Sequence, residues 1–166
     1  MPSTALLFES KLVTFCSPTL LKMKAGNIFN ISNEFNELEE CLNYYNQLCN
    51  QRGIYISIIH ENNNSKMIYV YQEKLNNLFN NHKFRAVLNN YHYPYQDIDS
   101  LINWLKIRMN SSEFPHEIGL FLGYPLTVLK GLSTVLIINI LDIGKYIAMF
   151  PKPSVLLTDI KNAHKN

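Results

Sequence analysis

An α+β fold is predicted by three features of the sequence. Two short runs rich in β-branched and aromatic residues, Ile54 to Ile59 (IYISII) and Met67 to Tyr71 (MIYVY), flank the polar, turn-forming segment His60 to Lys66 (HENNNSK). Segments with apolar residues at helical spacing lie on both sides of this hairpin. The chain has 166 residues, which suits one domain, since ~150 residues bury roughly 70% of the unfolded surface. The expected architecture is a small antiparallel sheet, centred on the 54–59/67–71 hairpin and covered by helices.

Residues 1–31 read as irregular, with Pro18 and Gly26 as breakers. Ser32 or Asn33 can cap a first helix, whose apolar residues Phe35, Leu38, Leu42, Tyr45 and Cys49 recur at helical spacing. Glu34, Glu37, Glu39 and Glu40 crowd its first turns, where the helix dipole favours anions, and Gly53 suits a stop. After the hairpin, Glu73 to Asn89 predicts one helix with Leu75, Leu78, Phe79, Phe84, Val87 and Leu88 as its apolar residues. The linker Asn90 to Gln96 (NYHYPYQ) is aromatic and broken by Pro94. Asp97 or Asp99 can cap a helix carrying Ile98, Leu101, Ile102, Leu105 and Met109. In Phe114 to Leu132 (FPHEIGLFLGYPLTVLKGL), Pro115 suits a first turn, Gly123 a stop, and Pro125 the start of a second short helix.

Composition narrows the function classes. Hydrophobic residues make up 47% and charged residues 17%, which excludes a disordered tail. A net charge of +2 gives no electrostatic reason to expect nucleic acid or a membrane surface. Three cysteines, Cys16, Cys41 and Cys49, have the wrong parity for a disulfide framework. The N-terminus lacks the basic and long apolar stretches of a signal peptide, so a cytoplasmic protein with reduced thiols is expected. The chain has 21 asparagines, and 12 lysines against 3 arginines; both biases suit AT-rich codons and an AT-rich bacterial source.

The segment FPHEIGLFLGYPLTVLKG (residues 114–131) resembles the signature of a clostridial family catalogued as domain-of-unknown-function family 3793. CSPTLLKMKAGNIF (residues 16–29) resembles that family's N-terminal Cys-Ser/Ala-Pro-Thr-Leu block, and KMIYVYQEKL (residues 66–75) resembles its hairpin strand and following helix start. The resemblance runs in order from Phe15 to Gly131. The family usually has histidine before the cysteine; Phe15 stands here, so any role of that histidine is absent. The resemblance implies no assigned activity.

Beyond Gly131 the resemblance stops. The family continues with a Gly-Tyr-Trp-Lys-Val-Tyr strand and a basic helix. Asp142-Ile143-Gly144-Lys145-Tyr146 can be encoded as GAT-ATT-GGA-AAG-TAT. Read from the last base of the Leu141 codon, that text gives Gly-Tyr-Trp-Lys-Val-Tyr. The expectation is a one-base loss near Gly131–Leu132, with 1–131 as the single α+β domain and 132–166 as an out-of-frame tail. Such a tail should pack worse than residues 15–131, because its apolar positions carry no selected period. The hairpin would then keep an unpaired edge and an uncovered apolar face.

The candidate site residues are few. Cys16, in a stretch read as non-helical, is either a nucleophilic or metal-binding thiol, which needs a lowered pKa, or a buried small hydrophobe. His116 and Glu117 open a short helix; His116 is a candidate base or metal ligand paired with Cys16, with Glu117 orienting it. The bland alternative is that Glu117 complements the helix dipole and His116 bonds locally. Tyr91, Tyr93 and Tyr124 are candidates to line a ligand groove, as is Tyr95; packing at the core edge is the alternative. No HExxH, CxxC, GxGxxG or P-loop pattern occurs.

These residues support two function classes. The first is a non-enzymatic cytoplasmic accessory or binding protein that handles a metal, haem or redox partner through Cys16, His116 and neighbouring tyrosines. The second is a small thiol enzyme with Cys16 as nucleophile and His116 as base. A weaker third reading takes EIGLFLGYPLTVLKGL as a helix-turn-helix, whose second helix offers DNA only Thr127 and Lys130. Leu132 to Phe150 imitates a membrane span, but Asn139, Asp142 and Lys145 interrupt it.

Overall fold

The computed structural model describes residues 2–113, 115–126 and 129. Its centre is strand β3 (Ser65–Gln72), flanked by β1 (Gly26–Ser32) and β2 (Ile54–Glu61) in the order β1-β3-β2. Both pairings are antiparallel, with Phe29 opposite Ile68 on one side and Ile56 opposite Val70 on the other. Around the sheet lie α1 (Ala5–Leu20), α2 (Leu38–Asn50), α3 (Leu75–Phe79), α4 (His82–Asn89), α5 (Ile98–Met109) and α6 (Ile118–Phe121). The fold is α+β, with the predicted hairpin at its heart.

Opposite residues of paired strands share a face. Phe29 and Ile31 of β1, Ile54 and Ile56 of β2, and Ile68 and Val70 of β3 form one core with Ala5, Phe8, Leu12 and Cys16 of α1 and Leu38, Cys41, Leu42 and Tyr45 of α2. The other face carries Tyr69 and Tyr71. The Tyr69 hydroxyl donates to the Phe121 carbonyl over 2.6 Å, which ties α6 to this face, and α5 packs against β2.

Several expectations are corrected. Residues 1–31 are not irregular: they contain α1 and β1. Pro18 lies inside α1, where its ring forgoes one backbone bond, to the Thr14 carbonyl, near the end of the helix; its own carbonyl accepts from both Met23 N and Lys24 N. Gly26 is not a breaker but the first residue of β1. Ser32 closes β1 rather than capping a helix, and α2 begins six residues later, after Glu37 at φ 59°. Glu37 instead serves α1, its carboxylate accepting from Ser3 Oγ at 2.9 Å and Thr4 N at 3.2 Å. Those donated bonds hold its carboxyl below the usual carboxylate range.

The helix predicted over 73–89 is two helices. Asn81 takes an extended conformation between them, and its side chain caps α4 by accepting from Lys83 N at 2.9 Å. The expectation of an uncovered sheet face also fails, because Met67 to Gln72 are all buried. Nor is the outer edge of β2 left open at Ile56: the Asn46 amide of α2 bonds both its N–H and its carbonyl, each at 2.9 Å. Other expectations hold. Asp97 caps α5 in a reciprocal capping box with Ser100, and Gly53 and Gly123 turn the chain at φ 68° and 80°. After Pro125 the chain is helical at Leu126 and Leu129, whose N–H bonds the Pro125 carbonyl, as expected of a second short helix; the other residues of that helix and the tail 132–166 lie outside the described residues.

At Gly26 the backbone of β1 passes close to the Phe121 carbonyl of α6. A Cβ there would lie 2.6 Å from Tyr69 Cε2 and 2.7 Å from the Phe121 carbonyl oxygen. Backbone cannot yield as a flexible side chain can, so Gly26→Ala should destabilise the protein by about 1–3 kcal/mol. Urea unfolding monitored by circular dichroism measures this; an unchanged midpoint would mean that α6 is not seated on Tyr69.

Candidate functional site

The polar centre of the protein lies beside α6. The Glu117 carboxyl, just before that helix, is fully buried. A buried carboxylate needs a partner, since removing it from water is costly. Arg108 of α5 supplies Nε at 2.7 Å from Oε1 and Nη2 at 3.4 Å from Oε2. The Tyr93 hydroxyl donates to Oε1 at 3.1 Å. Burial and the neighbouring carboxylate push the Tyr93 phenol upward, so it stays a donor. Bonding to the carboxylate raises Arg108 in turn.

The loop between α4 and α5 is fastened to this pair. Arg108 Cζ lies 4.8 Å from the centroid of the Tyr91 ring, and Trp104 Nε1 donates to the Tyr91 carbonyl at 2.9 Å. His92, between the two tyrosines, takes φ 59°, which turns their backbone. The Tyr93 ring packs on Phe121 at 5.6 Å. Tyr95 closes the loop by donating to the Arg85 carbonyl at 2.8 Å, with the Arg85 guanidinium over its ring at 4.8 Å.

The predicted site residues therefore separate by role. Glu117 and Tyr93 are brought together in the buried cluster; Tyr91 covers it and stays half-buried. His116, beside Glu117 in the chain, is exposed. Cys16 is helical, not in an irregular stretch, and completely buried in the core under α1; burial pushes its thiol far up, so it is protonated at neutral pH. Tyr124 is half-buried, and Lys24 Nζ lies 5.0 Å from the centroid of its ring. Among the described residues no three His, Cys, Asp or Glu side chains gather as a metal site. Thr127 and Lys130 lie outside the described residues.

Sequence reasoning missed Arg108, Trp104 and Lys24. For Arg108 a signal existed. In a chain where lysine outnumbers arginine 12 to 3, an arginine marks a position that uses the guanidinium plane. Arg85 and Arg108 both stack on tyrosines. Lys24 offered no such signal, being one of many lysines.

The Glu117–Arg108 pair can be weighed against the exposed Lys66–Glu61 pair, 3.3 Å apart. Glu117→Ala leaves a largely buried guanidinium without its partner and should cost about 3 kcal/mol. Glu61→Ala should cost less than about 1 kcal/mol. Denaturant melts of both variants test this; equal effects would show that the buried pair does not hold the loop.

Residues 12–133 match the family described as Protein of unknown function (DUF3793). No curated protein and no solved structure matches the chain.

Proposed function

The chain belongs to the DUF3793 family, and on that premise we propose that it is a non-enzymatic accessory or binding protein, which meets a metal, haem or redox partner through the exposed His116, with Tyr91 and Tyr93 ordering the loop between α4 and α5. The observation that carries this reading is the engagement of Glu117. Its carboxylate is spent on Arg108 and Tyr93, so it orders an aromatic loop instead of serving as an acid or base. Pre-ordering a recognition loop lowers the entropy lost on binding. A Cys16–His116 thiol enzyme would need an accessible thiolate, whereas burial keeps Cys16 protonated. The exposed His116 imidazole suits a ligand whose remaining donors come from elsewhere. No described helix is long and apolar enough to cross a membrane; the proposed location is the cytoplasm.

The test is thermal unfolding of the reduced protein with zinc, ferrous iron or haem. A ligand that binds only the native state at 100 times its Kd stabilises by about 2.7 kcal/mol. We expect at least one of the three to raise Tm and His116→Ala to abolish the rise. No shift with any of them removes this reading.

We also propose that residues 132–166 are out-of-frame text. The reread codons after Leu141 support this, as does the family match, which ends at residue 133, close to Gly131. Resequencing the gene across the Gly131 codon should show a missing base. Restoring it should give a protein of higher Tm; an intact frame in independent isolates would refute the proposal.

A further inference from the structure

We infer that the outer edge of β1 pairs with the same strand of a second copy of this chain, joining two three-stranded sheets into one. The direction of the β1 backbone groups follows from its register. In an antiparallel ladder one residue turns both its N–H and its carbonyl toward the neighbouring strand, and the next residue turns both away. The Ala25 carbonyl accepts from Gln72 N, and Asn33 N donates to the Asn64 carbonyl, each over 3.0 Å. The register between these bonds makes Asn27, Phe29 and Ile31 the residues that bond β3. Gly26, Ile28, Asn30 and Ser32 therefore turn their backbone groups outward.

Both ends of that outward row are closed. Gly26 is buried beside the Phe121 carbonyl, and the Ser32 carbonyl accepts from Phe35 N at 3.0 Å. Between them, Ile28 and Asn30 hold outward N–H and carbonyl groups that no described residue bonds, and Asn30 is exposed. The opposite edge of the sheet differs, since the Asn46 amide bonds both backbone groups of Ile56.

An open strand edge is a template for another strand, and three features select a copy of this chain. First, Ile28 and Asn30 lie two residues apart. Antiparallel pairing about a two-fold axis at Phe29 sets each of them opposite the other in the second copy, so every open N–H meets an open carbonyl. Second, β1 (GNIFNIS) contains no charged residue and no proline. Those are the residues that keep strand edges apart, so two copies meet here without like-charge repulsion. Third, α1 packs on β1, and its half-buried Phe15 stacks on Phe29 with ring centroids 5.8 Å apart. An axis at Phe29 brings the two Phe15 rings toward each other and covers apolar surface that a single copy leaves open. The inference does not rest on the proposed role of His116, which lies outside β1.

Sedimentation equilibrium of the full chain, from about 1 μM to about 1 mM, decides the matter together with hydrogen exchange at the Ile28 and Asn30 amides. We expect a dimer toward the upper end, with both amides exchanging more slowly as it forms. Asn30→Pro removes an outward N–H and no bond to β3, a position where an edge strand tolerates proline. It should raise the dimer Kd at least about tenfold, the equivalent of about 1.4 kcal/mol, and leave the circular dichroism spectrum unchanged. Asn30→Lys keeps the N–H but sets two like charges diagonally across the axis, and should weaken the dimer without touching the ladder to β3. A monomer throughout overturns the inference: slow exchange at both amides would then mean that another occupant holds the edge, and fast exchange that the edge stays open. A dimer that both variants form as tightly as the parent chain overturns it as well, since its contact lies elsewhere.

Discussion

The burial of β3 on both faces is the constraint on which the rest depends. A strand with one face in water can stand on a single layer of helices, but Met67 to Gln72 are all inside. One face is met by α1 and α2 through Ile68 and Val70. The other is met at Tyr69, whose hydroxyl finds the Phe121 carbonyl. That bond settles where α6 lies and therefore where Glu117, immediately before it, must be buried. Burying that carboxyl in turn demands Arg108 and Tyr93, and through them fixes the aromatic loop. The candidate site follows from the sheet by a chain of satisfied polar groups.

The legible parts of the fold were those whose signal is local. Runs rich in β-branched and aromatic residues marked β2 and β3, and Asp97 or Asp99 marked the start of α5; the structure selects Asp97, whose side chain and Ser100 cap the helix reciprocally. The hidden parts depend on tertiary packing. Helix α1 carries Leu6 and Leu7 exposed beside Ala5 and Phe8 buried, so its apolar residues do not make one clean stripe. Pro18 and Gly26 read as breakers because their roles, a late-turn carbonyl acceptor and a close approach to Phe121, appear only when distant segments meet. The same holds for Glu117: its place before a short helix was readable, but its partner nine residues earlier was not.

Desolvation gives different results at the buried Glu117 and the buried Cys16. At Glu117 a guanidinium is in contact, so the charge is kept and used to hold structure. At Cys16 no ion pair forms among the described residues, and burial keeps the thiol neutral and unreactive. The thiol drew attention in the sequence because cysteine is rare and chemically distinctive. Burial disarms the sulfur, whereas the buried carboxylate, which reads in the sequence as an ordinary helix-start residue, is the group that holds the aromatic loop.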